Sequence, residues 1–154
     1  MATVFGHINI PVRDMDATIA FYRLLGLDVP DAFEWPPGSG AKHVEVPTPG
    51  GAYLAFDNHE MARIWNTRFD AERGAGNGAG NAAGNIVVGL LVDARDDVDG
   101  TYRAVEAAGH QVGQPPYDAF WGSRYAIVVD PDGNEVGLKS PVDDERRYEP
   151  RVGE

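Results

Sequence analysis

The sequence predicts an α+β protein built from two βαβββ modules, an internal repeat. Three observations predict it. The stretch Gly122–Pro141 holds two short apolar runs, Tyr125–Val129 and Val136–Leu138, joined by Asp130-Pro131-Asp132-Gly133-Asn134. Pro131 presets φ near about −65° and Gly133 tolerates a positive φ, so the segment is a tight reversal between two strands. A weaker copy stands earlier at an offset of 82, pairing Gly40 with Gly122, Lys42 with Arg124, His43 with Tyr125, Pro49 with Pro131, Gly51 with Gly133 and Ala55 with Gly137. Each hairpin is preceded by a strand and a helix, with Val12-Arg13 standing 80 residues before Val92-Asp93, so that His7 corresponds to Val87.

Taken in order, Phe5–Val12 alternates as a strand, Ile8, Ile10 and Val12 on one face and His7, Asn9 and Pro11 on the other. Asp14 or Asp16 caps the helix that follows. Ala17, Ala20, Phe21 and Leu24 recur at helical spacing as its buried stripe, and Gly26 is the αL stop. Strand pieces follow at Leu27–Val29, Lys42–Val46 and Ala52–Phe56, punctuated by Pro36-Pro37-Gly38 and Pro47–Gly51. His59–Phe69 has helical character, with Met61, Ile64 and Trp65 on one side. Gly74–Asn85 (GAGNGAGNAAGN) is too rich in Gly and Asn for either regular structure and reads as a connection between two halves.

In the second half Ile86–Val92 is a strand and Asp96 or Asp97 a cap. Val98, Tyr102 and Val105 form the helical stripe, and Gly109 is the stop. A strand piece near His110–Val112, a loop through Pro115-Pro116 to Trp121 and the hairpin complete the module. The organisation expected is one domain over residues 1–141, made of repeats 4–57 and 86–141 joined by 58–85, with a polar tail at 142–154 that is not core. Two sheets, each with one face on its helix, leave their other faces to enclose a cleft.

Composition narrows the partners. The net charge is −11, from 24 Asp+Glu against 13 Lys+Arg, which disfavours nucleic acid and anionic membrane. The acidity serves solubility or recruits a cationic small molecule. Cysteine is absent, so disulfides, thiolate ligands and cysteine nucleophiles are excluded. No apolar run approaches the roughly 18 residues of a membrane span, and the start of the chain has no targeting pattern; a cytoplasmic protein is expected.

The segments GHINIPVRDMDATIAFYRLLGL and FWGSRYAIVVDPDGNEVGLKSP resemble the glyoxalase–bleomycin-resistance–dioxygenase (vicinal oxygen chelate) superfamily, a resemblance covering about residues 4 to 141. It implies the two-module fold, and either metal-dependent lyase, isomerase or dioxygenase chemistry or metal-free sequestration of antibiotics. The metal-dependent members take His and Glu ligands from the first and last strands of each half. By register those positions are here His7, Ala55, Val87 and Gly137, of which only His7 is a ligand type. A catalytic zinc-type site has three protein ligands, so no metal cofactor is expected. The atypical alternative draws on His7, His43, Glu45 and Glu135, whose strand parity places them with Ala55 and Gly137.

The aromatics speak to the ligand type. Tyr53 shares the parity of Ala55, Tyr125 is expected beside it, and Trp35, Phe120 and Trp121 lie in connections bordering the cleft. Aromatic walls in an acidic surround suit a flat or cationic molecule, although the same residues also pack cores and dimer contacts. The reading is a metal-free binder that sequesters a small organic, antibiotic-like molecule through His7, Asn9, Tyr53, Ala55, Trp121, Tyr125 and Gly137. The alternative is a metal-dependent lyase, isomerase or dioxygenase with an atypical ligand set. A pair formed by His7 with Glu45 or Glu135 is the acid–base arrangement the sequence offers. A homodimer is expected, so light scattering at micromolar concentration should return twice the 16.6 kDa chain mass. If the charge recruits a cationic ligand, its association should slow as salt rises past physiological strength, where the Debye length is about 8 Å; a salt-indifferent rate would assign the acidity to solubility alone.

Overall fold

The computed structural model describes residues 6–65 and 87–148, which fall in two compact units. Each unit carries one four-stranded mixed sheet. The first contains β1 (His7–Val12), α1 (Met15–Leu24), β2 (Phe33–Glu34), β3 (Lys42–Pro47), β4 (Tyr53–Asn58) and α2 (His59–Trp65), with sheet order β1-β4-β3-β2. The second contains β5 (Val87–Leu91), α3 (Arg95–Ala107), β6 (Tyr117–Asp118), β7 (Arg124–Val129) and β8 (Glu135–Lys139), with order β5-β8-β7-β6. In both, the first strand runs parallel to the last and the remaining pairs are antiparallel. The repeat register holds: His7 pairs with Tyr53 and Val87 with Glu135, Asn9 with Ala55 and Gly89 with Gly137.

One face of each sheet is buried under its helix. Val44 and Val46 of β3, Leu54 and Phe56 of β4 and Val12 of β1 share a parity and are buried, and Tyr22 of α1 meets Phe56 with ring centroids 4.6 Å apart. In the second module Ala126, Val128, Val136 and Leu138 are buried, as are Val98, Tyr102 and Val105 of α3, which packs on β7 and β8. Each large aliphatic or aromatic side chain so buried contributes about 1.5–3 kcal/mol.

The local expectations hold in part. Asp14 caps α1, its Oδ1 accepting from the Ala17 N–H at 2.9 Å. The cap starts the helix at Met15 and rotates the buried stripe to Met15, Thr18, Ile19 and Tyr22 with Phe21, whereas Ala20 and Leu24 are exposed. At α3 the N-cap is Ala94, and Asp97 acts from inside the first turn by accepting from the Ala94 N–H at 2.9 Å. Gly26 and Gly109 close their helices at φ +91° and +82° as expected.

Leu27–Val29 is not a strand. The Leu27 N–H returns to the Tyr22 carbonyl and the Arg23 guanidinium takes the Val29 carbonyl, so these backbone groups are satisfied locally. The edge strands are instead Phe33–Glu34 and Tyr117–Asp118, two residues each and outside the segments expected to be strands. Of the piece near His110–Val112, Val112 bridges Val128 antiparallel. The hairpin turn is held by Asp130, whose Oδ1 accepts from the Asp132 and Asn134 N–H groups at 2.9 and 2.8 Å. The last part of the helix expected at His59–Phe69 and all of Gly74–Asn85 lie outside the described residues.

Residues 142–148 are surface but anchored. They form a 3₁₀ turn at Asp144–Arg146; the Tyr148 hydroxyl donates to the Asp118 carbonyl and the Asp143 N–H to the Gly122 carbonyl. Gly122 has φ +93°, and a Cβ there would collide with the Asp143 carbonyl oxygen.

Arg124 ties α3 to the sheet: its Nε and Nη2 donate to Asp99 at 2.8 and 2.7 Å. That bond holds the Asp99 carboxyl below its ordinary value of 3.8. A depressed carboxylate stabilises the fold above its unfolded pKa and ceases to do so as pH falls through the folded one. Urea unfolding should therefore show a stability loss below about pH 4 that Asp99→Asn reduces, with the variant about 1 kcal/mol weaker at neutral pH.

Candidate functional site

Strand alternation places one set of side chains on the first sheet's face away from the Phe56 side. These are His7 and Asn9 from β1, Tyr53, Ala55 and Asp57 from β4, His43 and Glu45 from β3, and Phe33 from β2. His7 and Tyr53 are register partners, and their rings stack at 4.7 Å with an interplanar angle of 10°. Ala55 is fully buried at the centre of this face.

Beside the stack runs a chain of polar contacts. The Asn9 amide donates to Asp57 Oδ2 at 2.7 Å, and His43 Nδ1 lies 2.6 Å from Asp57 Oδ1. His43 Nε2 is 3.3 Å from Glu45 Oε1, and the Phe33 ring stands edge-on to the imidazole at 5.2 Å. Asp57 is 1% exposed, and burial of a carboxylate is tolerated only with such partners. Asp57 holds both neighbours, Asn9 through its amide nitrogen and His43 through Nδ1. The Asn9 Oδ1 is left buried without a hydrogen-bond partner.

The second module provides an internal comparison. At the positions corresponding to Asn9, His43, Glu45 and Asp57 it has Gly89, Tyr125, Ile127 and Lys139, on the same strands and in the same register. This sheet forms with Lys139 where the first has Asp57, so the strand order and register do not require the Asp57 chain.

On the second sheet the matching face is aromatic. Tyr125 lies over Gly137 so closely that a Cβ there would collide with its hydroxyl. Trp121 and Tyr117 stand edge-on to Tyr125 at 5.4 and 6.1 Å, and Phe120 edge-on to Trp121 at 5.0 Å. The Trp121 Nε1 is buried and unpartnered. Burial pushes the Tyr125 phenol above its usual range, assisted by Tyr117 and Glu135. The ring of Tyr125 takes up the space beside Gly137. On its other side the module has a cavity of about 580 Å³ lined by Arg95, Arg103, Arg124 and Arg146 with Asp96, Asp99 and Asp118. Arg124 and Arg95 there bond Asp99 and Asp118.

Of the residues expected from sequence, His7, Asn9, Tyr53, Ala55, His43 and Glu45 share the first face, and Trp121, Tyr125, Gly137 and Glu135 belong to the second module. Trp35 is exposed in a connection of the first module. Asp57 escaped the sequence reading because the strand expected at Ala52–Phe56 stops one residue short; carrying the Tyr53–Ala55 parity onward would have found it.

Of the family's metal positions, only His7 has a ligand-type side chain. Ala55 and Gly137 have no donor and Val87 is apolar. Both His43 nitrogens already face carboxylates, and among the described residues no group of three or more His, Asp or Glu is placed to hold an ion. Among the described residues, no helix is long and apolar enough to cross a membrane.

Known proteins place this architecture. The chain's sequence matches no curated protein. Solved structures similar to it include a glyoxalase-related enzyme from Fulvimarina pelagi, at 18% identity over 91% of this chain and 89% of that one, TM-score 0.67. A glyoxalase/bleomycin resistance protein/dioxygenase family enzyme from Burkholderia phytofirmans PsJN is similar at 20% identity over 88% and 96%, TM-score 0.62. A lactoylglutathione lyase from Agrobacterium tumefaciens is similar at 22% identity over 90% and 94%, TM-score 0.55. At these identities the likeness is one of fold. The model of the glyoxalase/bleomycin resistance protein/dioxygenase superfamily matches residues 4–138, nearly the whole chain, and with the two βαβββ modules this makes the protein a member of that superfamily.

Proposed function

We propose that the protein binds a small, flat organic molecule against the face of the first sheet that carries His7 and Tyr53, without a metal. The observation that carries this reading is the Asn9–Asp57–His43 chain beside the stacked His7 and Tyr53 rings. The stack offers an aromatic surface, and the orphaned Asn9 Oδ1 is an acceptor for a donor on the ligand. The second module's lack of such a chain supports a ligand-directed role for it. The acidity of the chain favours a neutral or cationic ligand over an anion. Sequestration of an antibiotic-like compound is one use of such a site.

A thermal-shift screen of flat heteroaromatic compounds tests the reading, with fluorescence titration of the hits. His7→Ala and Tyr53→Ala should each weaken a hit by about 0.5–1.5 kcal/mol while leaving the melting temperature of the free protein near that of wild type. Hits indifferent to both substitutions would remove the ligand from this face. Protein purified without chelator should carry well under one transition metal per chain by mass spectrometry. Near-stoichiometric zinc, nickel, manganese or iron that disappears in His7→Ala would overturn the metal-free reading.

A further inference from the structure

We propose that the second module carries a separate binding groove for a flat aromatic oxyanion, a carboxylate or sulfonate, built between the loop 119–123 and the segment 142–148 and independent of the face that carries His7 and Tyr53. The groove is a cavity of about 470 Å³ lined by Phe120, Trp121, Arg147 and Tyr148. None of the four belongs to a helix or strand, so backbone bonds between two stretches distant in sequence place them.

The loop is a tight turn in which the Gly122 N–H reaches the Ala119 carbonyl at 2.8 Å, with Phe120 and Trp121 at its two central positions. Residues 142–148 then dock on it. The Asp143 N–H donates to the Gly122 carbonyl, the Tyr148 N–H to the Phe120 carbonyl and the Tyr148 hydroxyl to the Asp118 carbonyl, each at 3.1 Å. A Cβ on Gly122 would collide with the Asp143 carbonyl and stand 3.2 Å from Arg147 Cγ. The missing side chain is therefore what lets the Arg147 stem lie against the loop.

Two features set the ligand class. Phe120 and Tyr148 are exposed although both are large and aromatic, and Phe120 stands edge-on to Trp121 at 5.0 Å, a ring-lined surface that favours a flat apolar partner over water. The side chains of the groove with bonding capacity left are donors. Arg147 has its Nε 2.8 Å from Asp144 Oδ1, and its Nη1 and Nη2 have no partner among the described residues. The Trp121 Nε1 is buried without a hydrogen-bond partner, whereas the Tyr148 hydroxyl is already used. The end of a guanidinium matches the paired oxygens of an oxyanion, and at contact this attraction outweighs the diffuse field of the acidic chain, which salt screens beyond about 8 Å.

The probe is 1-anilinonaphthalene-8-sulfonate, and N-phenyl-1-naphthylamine has the same rings without the charge. Titrated into the full chain at physiological salt, the sulfonate should brighten saturably. Arg147→Gln should weaken the sulfonate at least about fivefold and leave the uncharged probe within about twofold. Phe120→Ala should weaken both at least about fivefold, and Gly122→Ala, which displaces the segment, should do the same. His7→Ala and Tyr53→Ala, in the other module, should leave both probes within about twofold. Circular dichroism melts accompany every variant, and if Gly122→Ala does not fold, the surface substitutions Phe120→Ala and Arg147→Gln decide. Absence of saturable brightening, or a sulfonate affinity unmoved by either of those two, overturns the proposal. So does an Arg147→Gln loss shared equally by the uncharged probe, which removes the oxyanion. Binding lost in His7→Ala but kept in Phe120→Ala would put the probe on the first sheet, overturning the groove while keeping the binding reading there.

Discussion

A four-stranded sheet has two faces, and the packing of α1 and α3 decides what each can be used for. The valines of β3, Ala126 and Val128 of β7, the Leu54–Phe56 side of β4 and the Val136–Leu138 side of β8 are committed to burial. Strand alternation then sends every intervening residue to the opposite face, whatever its chemistry. A shift of one residue in β4 would put Ala55 and Asp57 in the core and Phe56 outside. The candidate site is therefore a consequence of how the hydrophobic faces are buried, and its register is held by the same contacts that hold the fold.

The two modules use that second face differently. The first has a buried carboxylate balanced by an amide and an imidazole. Removal of either partner would take a hydrogen bond from this buried carboxylate, at a cost of about 1–3 kcal/mol. The second fills the corresponding region with the Tyr125 ring, packed over Gly137 and among Tyr117 and Trp121. Because both sheets have the same strand order and register, the difference between them is one of side chains alone. The Asp57 chain is thus particular to the first module.

Charge is organised locally despite the overall acidity. Arg124 takes Asp99 with two donors and also reaches Asp118, joining α3, β6 and β7, while Tyr148 and Asp143 fasten the segment after Pro141 to the same loop. The Arg124 contacts stand on the α3 side of the second sheet, while the Tyr148 N–H donates to the carbonyl of Phe120.

The sequence by itself determined the repeat, its offsets of 80 and 82, the strands of both hairpins, the α3 stripe of Val98, Tyr102 and Val105, and the face shared by His7, Asn9, Tyr53 and Ala55. These follow from periodicity and from the turn chemistry of Pro131, Gly133 and Gly109, which act over a few residues. Tertiary structure decided the rest. The edge strands Phe33–Glu34 and Tyr117–Asp118 are too short to carry a period of their own and exist because β3 and β7 pair with them. The α1 stripe turned because the Asp14 cap set the helix start and the larger Tyr22 found Phe56. The meeting of Asn9, Asp57 and His43 required the lateral register of three strands distant in sequence, since His43 lies opposite Asp57 only when β3 folds back on β4, and Asn9 reaches it only when β1 pairs with β4 in parallel. No local pattern encodes that convergence.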